Sequence, residues 1–212
     1  MKNPFLRLRH AAAICALLAA SAAQAGPISL GTASLFGDVL VSGSAATMTN
    51  SNVALSGDGG AVAGGNALDL FVYSGGLEDA LGLAAGTLGA DAFEGSALRI
   101  GFMGAAGAIL RFDWTLSTES FDPLFLDRAF VMVDDILLSQ FNVTSALQSS
   151  SFSFVLGTGG LHSLTVGVLD VNDYTVVSTF SIDNISVVPE PGSLGLLLTA
   201  LLAARCSARR RA

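Results

Sequence analysis

Strict alternation of apolar and polar residues over short stretches most restricts what this chain can fold into. Residues 111–116 read RFDWTL, so Phe112, Trp114 and Leu116 share one parity and polar residues lie between them. Successive side chains of a β-strand point to opposite faces, so a period of two predicts a strand with one buried face. The same period, or an apolar run of strand length, occurs at residues 97–103, 129–133, 151–154 and 164–168.

One segment departs from this pattern. Leu77 and Leu81 lie four residues apart with acidic residues between them, which predicts a short helix that ends near Gly82. The glycine-rich residues 57–65 are expected to form a mobile loop or a weak sheet edge. Many short strands separated by turn residues, together with one short helix, predict an all-β domain of the β-sandwich or jelly-roll kind.

The last predicted strand contains a change of parity. Phe180 and Ile182 share one parity, and Ile185 and Val187 share the other. The change falls at residues 183–184, an Asp-Asn pair, and both residue types tolerate bulges and the left-handed conformation. We therefore expect a β-bulge that points both polar side chains in the same direction.

The two ends of the chain differ from this body. Residues 1–25 combine an early positive charge, an apolar stretch and the small residues Ala23 and Ala25 on either side of a glutamine. This three-part layout predicts a secretory signal peptide cleaved after Ala25. The exported domain is then expected to span residues 26–187.

Residues 188–212 form the other end. Pro189, Glu190 and Pro191 precede an apolar stretch, predicted to be a hydrophobic helix over about residues 192–208, and a basic tail at 209–211 follows. The uncharged part, residues 192–204, would cover roughly 20 Å as a helix, against a hydrocarbon core of about 30 Å. Arg205 near the helix end can reach the headgroups, so membrane insertion stays possible beside the alternative of a buried core helix. Three arginines would stay on the cytoplasmic side: Arg209, Arg210 and Arg211.

This ordered ending resembles the PEP-CTERM sorting signal of Gram-negative bacteria. The resemblance implies export by the general secretion machinery, transient residence in the inner membrane, and recognition by the protease-transferase exosortase. It also implies removal of the tail, after which the mature protein is released or attached to the cell surface. The fragments LGLAAG, EGSA, FDW, AFV, GVLDVND and IDNI, within residues 67–191, further resemble a recurrent exported domain found ahead of this signal. That resemblance implies a secreted β-rich domain and transfers no active site.

Charge excludes several kinds of partner for the exported body. Seven of the ten basic residues lie outside residues 26–188, which leaves three arginines against 16 of the 17 acidic residues, a net charge of about −13. Such a surface repels nucleic acid and anionic membranes. Both cysteines, Cys15 and Cys206, also lie outside this body, so we expect neither a disulfide nor thiol chemistry in the mature domain.

Oxygen-rich clusters suggest a calcium site. Calcium takes six to eight oxygen ligands, and Asp or Asn side chains supply them. The candidate ligands are Asp170, Asn172, Asp173, Asp183 and Asn184. A second acidic group, Glu119, Asp122 and Asp127, falls in a predicted loop. The alternative is that these residues cap turns, because Asp and Asn are common turn residues and no EF-hand spacing is present. No cofactor is required, and calcium is possible.

Catalysis has little support in the sequence. His162 is the only histidine of the exported body, and we expect it on the polar, exposed side of its strand rather than as a catalytic base. Glu78, Glu94 and Glu119 are the only glutamates of that body, and aromatic residues for sugar stacking are few.

Three hypotheses follow from these observations. The first is an exported, non-catalytic β-sandwich protein of the cell surface, extracellular matrix or biofilm. The second is a calcium-dependent, lectin-like module that binds exopolysaccharide. The third is a secreted hydrolase, such as a glycoside hydrolase, which the scarcity of candidate catalytic residues disfavours.

Overall fold

The structure is a computed structural model, and it describes residues 26–54, 59–70, 75–121, 123–124, 126–172, 174 and 176–189. The described ranges contain twelve β-strands, one α-helix and a 3₁₀ turn at Leu30–Thr32. The strands are β1 Gly26–Pro27, β2 Ser34–Phe36, β3 Asp38–Ser42, β4 Ala45–Thr49, β5 Leu68–Asp69, β6 Ala92–Gly104, β7 Ile109–Thr118, β8 Arg128–Val133, β9 Ile136–Asn142, β10 Leu147–Val155, β11 Gly160–Val171 and β12 Ser178–Val188, and the helix is α1 Leu77–Leu81.

Two antiparallel sheets pack face to face. Sheet A has the strand order β10-β7-β12-β4-β3, with β1 also paired to β12. Sheet B has the order β2-β6-β11-β8-β9, with β5 also paired to β6. The all-β sandwich predicted from the alternation is therefore confirmed.

The main core lies between the sheets and is built from the apolar parity of each strand. Leu110, Phe112, Trp114 and Leu116 of β7 all point into it, as the alternation predicts. From sheet B, β11 contributes its own alternating set, Leu164, Val166 and Val168. At about 25 cal/mol per Å² of buried apolar area, these inward rows provide the main favourable term in folding.

A second, smaller core covers part of the outer face of sheet B. Leu77 and Leu81 of α1 pack there against Phe130 and Met132 of β8. The helix ends at Gly82, which adopts the left-handed conformation with φ of 69°, so the predicted helix and its end are confirmed.

The predicted bulge in β12 is also present. The register of β12 against β7 shifts between Asp183 and Ser186, and Asn184 has a φ of 52°. Asp183 and Asn184 are both exposed, which brings two polar side chains to the outer side of sheet A.

Asp38 anchors part of the glycine-rich segment. Its Oδ1 accepts hydrogen bonds from the backbone N–H groups of Ala63 at 2.7 Å and Gly65 at 2.9 Å. Its Oδ2 accepts from the N–H of Val62 at 2.8 Å and from the Thr49 hydroxyl. Residues 62–65 therefore form a loop that is tied to β3, because one buried carboxylate accepts its amides. Residues 57 and 58 of the expected loop lie outside the described residues.

The predicted signal peptide and sorting signal lie outside the described residues, apart from Val188 and Pro189. A search of the described part of the chain finds no helix that is both long and apolar enough to span a membrane.

Candidate functional site

The outer face of sheet A is polar across four neighbouring strands. The side chains of β7 that alternate with its core residues point outward, and the adjacent strands add mainly small hydroxyl side chains to the same face. We name this surface the hydroxyl face and define it by Thr47 of β4, Asp113 and Thr115 of β7, Ser149 and Ser151 of β10, and Ser181, Asp183 and Asn184 of β12.

Four hydroxyl groups lie in one row across this face. Cross-strand register places Ser149 opposite Thr115, Thr115 opposite Ser181, and Ser181 opposite Thr47. Neighbouring strands lie about 4.8 Å apart, so the backbone positions of the row are evenly spaced. The Thr47 and Ser181 oxygens are 3.0 Å apart and share a hydrogen bond. Because a hydroxyl group both donates and accepts, the row can form hydrogen bonds with a ligand of either polarity.

Asp113 lies in the next row of the hydroxyl face. Its Oδ1 accepts a hydrogen bond from the Ser151 hydroxyl at 2.6 Å, and its Oδ2 accepts one from Asn184 Nδ2 at 2.9 Å. These two bonds, the one from Ser151 foremost, hold the pKa of the Asp113 carboxyl below its ordinary value. The carboxylate therefore stays charged and fixed in direction across the physiological pH range.

A shallow groove of about 430 Å³ follows the hydroxyl face. It crosses from Ser149 and Ser151 on β10 to Ala45 at the start of β4. The indole of Trp114 faces inward and stacks on Phe141 with ring centroids 4.5 Å apart, so it serves the core rather than the groove. Among the described residues that line the groove, no other aromatic side chain is present, so ligand recognition here depends on hydrogen bonds rather than stacking.

Sequence reasoning did not find this face. The outward parity of β7 and β10 was readable in the sequence, because serines and a threonine alternate with the predicted core residues. Alternation alone cannot show that β4, β7, β10 and β12 lie side by side. That adjacency brings together residues as far apart as Thr47 and Ser181, which are 134 positions apart.

The structure separates the candidate calcium ligands into two places. Asp170 lies in β11 of sheet B and is buried, whereas Asp183 and Asn184 lie on the exposed bulge of sheet A. Asn172 has a φ of 68°, as is common for Asn in turns. Asp173 lies outside the described residues. Within the described ranges, no group of three or more His, Cys, Asp or Glu side chains could hold a metal ion, so calcium binding stays a prediction.

Asp170 nevertheless has acidic neighbours that the sequence did not reveal. It lies in register with Glu94 of β6, and Glu94 lies in register with Asp69 of β5. Both Asp170 and Glu94 are buried at one end of the sandwich. Burial first, and then the negative charges of Asp69, Glu94 and Asp170, raise the pKa of the nearby Tyr174 phenol. This end of the molecule therefore brings three acidic side chains together beside the Tyr174 phenol.

The second acidic group is also divided. Asp127 is buried and accepts hydrogen bonds from the Ser178 hydroxyl at 2.6 Å and from Asn50 Nδ2 at 3.1 Å. Its Oδ1 accepts a bond from the N–H of Val171 at 3.3 Å. Glu119 is exposed, and Asp122 lies outside the described residues. Asp127, which lies just before β8, therefore links the start of β12 to the end of β11 and has a structural role.

His162 is buried, so the expectation that it lies on the polar, exposed side of its strand is wrong. It shares the inward parity of Leu164, and its ring stacks on Phe102 with centroids 5.6 Å apart. Its Nδ1 lies 2.7 Å from Asp134 Oδ2, and its Nε2 lies 3.2 Å from the carbonyl oxygen of Thr158. Both ring nitrogens have partners within the fold, and neither contacts a serine hydroxyl as a nucleophile–base pair would require.

Glu78 is a structural carboxylate. It is buried, and its two oxygens accept hydrogen bonds from the N–H groups of Leu88 and Gly86, each at 2.7 Å. These bonds tie α1 to the loop that follows it. Glu94 has the same parity in β6 as the core residues Leu98 and Ile100, whereas α1 packs on the outer face of sheet B. The two glutamates therefore lie on opposite faces of sheet B and do not flank a common cleft as a glycosidase pair would.

This geometry defines a class: a two-sheet β-sandwich with a polar groove on one outer face and buried acidic residues at one end. No protein-family model matches the sequence, and no curated protein matches it either. The fold resembles several solved structures, among them TmCBM61 in complex with beta-1,4-galactotriose, at 13% identity over 76% of this chain and 91% of that one, with a TM-score of 0.38. Another is the N-terminal cellulose-binding domain of Cellulomonas fimi beta-1,4-glucanase C, at 12% identity over 78% and 97% of the two chains, with a TM-score of 0.38.

A third similar structure is a family 35 carbohydrate binding module from an environmental isolate, at 15% identity and a TM-score of 0.31, which covers 74% of this chain and 96% of that one. These proteins are carbohydrate-binding domains by description. At TM-scores of this size, the similarity supports no inference about what the present chain binds.

Proposed function

We propose that this chain is an exported, non-catalytic domain that binds an extracellular polysaccharide along the hydroxyl face. The observation that carries the proposal is the row formed by Ser149, Thr115, Ser181 and Thr47, with Asp113 beside it. A polysaccharide presents repeated hydroxyl groups, and a row of donors and acceptors on a rigid sheet can bond to several of them without first being ordered.

Charge narrows the ligand class. Asp113 and Asp183 lie in register on the hydroxyl face, and the exported body carries a net charge of about −13 from three arginines and 16 acidic residues. An acidic polysaccharide would be repelled, whereas the hydroxyl groups of a neutral polymer can donate hydrogen bonds to the fixed carboxylate of Asp113. We therefore propose a neutral exopolysaccharide as the ligand.

The absence of catalysis is part of the proposal. Among the described residues, Glu78 accepts hydrogen bonds from two backbone amides, and His162 contacts Asp134 and Thr158. These contacts support a binding role rather than a hydrolytic one.

Binding to an array of soluble neutral and acidic polysaccharides tests the proposal. Thr115→Val keeps the shape of the side chain but removes its hydroxyl group, and Ser181→Ala does the same in the neighbouring strand. A hydrogen bond contributes on the order of 1 kcal/mol, so we expect each variant to bind its polysaccharide two- to tenfold more weakly. Isothermal titration calorimetry on the best ligand of the array measures this change.

The matched control is Thr32→Val, an exposed threonine outside the hydroxyl face, which should leave the affinity unchanged. If neither Thr115→Val nor Ser181→Ala weakens binding, the hydroxyl face is not the site. The titration is repeated in calcium and in a chelator. Loss of affinity in the chelator would support the calcium-dependent form of the hypothesis, and unchanged affinity would remove it.

Delivery to the outside of the cell is the second part of the proposal. The predicted signal peptide and the resemblance of the Pro189-Glu190-Pro191 ending to an exosortase signal support it. Exosortase would then act as a partner during export, and the processed domain would meet its polysaccharide at the cell surface or in the surrounding matrix.

A further inference from the structure

Strand β10 ends sheet A with an unusually open edge. In the part of the chain that the structure describes, β10 is hydrogen-bonded to β7 alone. It is nine residues long, and all nine pair with β7 in an unbroken register. The backbone groups on its other side therefore offer a straight template for another strand.

The other sheet edges have features that natural proteins use to prevent such pairing. Strands β2 and β5 have only three and two residues. Strand β3 is five residues long and carries Asp38, which holds the loop at residues 62–65 against it. The pairing of β9 with β8 shifts register between Val131 and Met132 of β8. The Gln140 side chain of β9 also donates a hydrogen bond to the carbonyl oxygen of Leu88. Among the described strands, only β10 is both long and regular at an edge.

The sequence of β10 favours contact with an equal partner. Its residues, LQSSSFSFV, include no charged residue and no proline, although the exported body carries a net charge of about −13 from three arginines and 16 acidic residues. Two copies can therefore approach along this strand without directly opposed like charges. Phe152 and Phe154 face the core but stay half-buried, so the open side of the sandwich still exposes apolar surface beside β10.

We propose that two copies of this chain pair antiparallel through β10, so that sheet A continues from one copy into the other. A two-fold arrangement that pairs all nine residues places Ser151 opposite Ser151 of the second copy. It also places Leu147 opposite Val155 of the second copy. Leu147 is 67% exposed and Val155 is 59% exposed in the single chain, and this register covers each with the other.

The same register places Ser149 opposite Ser153 of the second copy, twice in the dimer. Both serines are exposed, so charges can be introduced there without burying them. The dimer does not depend on the polysaccharide, and its test uses no ligand.

Two charge variants of the full chain test the pairing and its register. The like-charge variant combines Ser149→Lys with Ser153→Lys and sets two positive charges opposite each other at both points. The opposite-charge variant combines Ser149→Lys with Ser153→Glu and sets a Lys opposite a Glu at both points. Sedimentation velocity over a wide range of concentrations should show a dimer for the wild type and the opposite-charge variant. The dimer dissociation constant of the like-charge variant should be at least tenfold higher.

A wild type that stays monomeric, or two charge variants that dimerise equally, would overturn the proposal. Far-UV circular dichroism confirms that each variant is folded. If the like-charge variant does not fold, cysteine cross-linking decides in a chain with Cys15→Ser and Cys206→Ser. Opposed residues of paired strands have Cα atoms about 4.5–5.5 Å apart, within disulfide range, so Ser151→Cys should form a covalent dimer under mild oxidation.

The matched control is Ser42→Cys, which lies exposed on β3 at the other edge of sheet A and should form no disulfide-linked dimer, although its intact β10 can still pair. Equal cross-linking of the two cysteine variants, or none for Ser151→Cys, would also overturn the proposal.

Discussion

At the scale of single residues, buried carboxylates that collect backbone amides hold this fold together. Asp38 accepts three N–H groups and one hydroxyl, and Glu78 accepts two N–H groups. Each therefore ties a loop to a strand or helix. Residues 26–188 contain no lysine, so such bonds replace the ion pairs that otherwise neutralise buried acids.

The variant Asp38→Asn should lower the free energy of unfolding by about 3 kcal/mol, because one side of the amide carries N–H groups and cannot accept the bonds that Asp38 now accepts. Urea unfolding at neutral pH measures this loss. The control is Asp135→Asn, which removes an exposed ion pair with Arg99 and should cost less than about 1 kcal/mol.

The effect of Asp38 also depends on pH. Burial alone would raise the pKa of Asp38, but the hydrogen bonds from Thr49, Val62, Gly65 and Ala63 outweigh it and hold that pKa below its ordinary value. A lowered folded-state pKa contributes stability that is present above the unfolded pKa of about 4 and is lost as the pH falls through the folded value. The difference in the free energy of unfolding between wild type and Asp38→Asn should therefore decrease below about pH 4. A difference that increases there would contradict this account.

At the scale of elements, local backbone geometry determines where α1 ends and where β12 changes face. Gly82 closes α1 in the left-handed conformation, and its N–H bonds to the carbonyl of Asp79 at 2.9 Å. Asn184 takes the same conformation in the bulge of β12, which moves it and Asp183 onto the hydroxyl face. A one-residue irregularity thus places polar groups beside Asp113.

The variant Gly82→Ala should destabilise the domain by about 1 kcal/mol, since a side chain disfavours the left-handed conformation. Among the described residues, no heavy atom beyond the adjoining chain lies within 4 Å of the Cβ that alanine would add, so the cost is conformational rather than steric. Gly31→Ala serves as the control, because Gly31 has no positive φ and its added Cβ would meet only the Ser29 hydroxyl at 3.6 Å. If urea unfolding gives the same free energy of unfolding for the two variants, the left-handed conformation of Gly82 does not contribute to stability as we expect.

At the scale of the whole molecule, the proposed export would divide the chain into two ends that are removed and one domain that remains. The net charge of the domain, about −13 from three arginines and 16 acidic residues, differs greatly from the value of −7 for the full chain, because seven basic residues lie in the ends. The mature protein would therefore be more acidic than the precursor, which favours solubility and disfavours binding to anionic polymers.

Mass spectrometry of protein collected outside the producing cell tests this division. We expect Gly26 as the first residue and a C-terminus that precedes the basic tail at 209–211. A variant with Pro189, Glu190 and Pro191 all changed to alanine should keep the tail and stay with the cell. Recovery of extracellular wild-type protein that still contains Arg211 would contradict the proposed processing.

The sequence by itself determined the local parts of this molecule. Alternation identified the strands around Phe112 and Val166, a four-residue spacing identified α1, and a change of parity identified the bulge at Asn184. These features follow from the rotation per residue of a strand or helix, which nearby residues decide.

Only the tertiary structure decided which strands lie side by side, and the candidate site depends on that. Thr47 and Ser181 meet across 134 positions, and Asp69, Glu94 and Asp170 align on three strands. His162 was expected outside and lies inside, because β11 begins at Gly160 and so gives His162 the inward parity of Leu164, where Phe102 and Asp134 contact its ring. Many strands of this chain have similar apolar patterns, and which of them pair depends on residues far apart in the sequence. A period of two therefore predicts the buried face of each strand but not the strand that lies beside it.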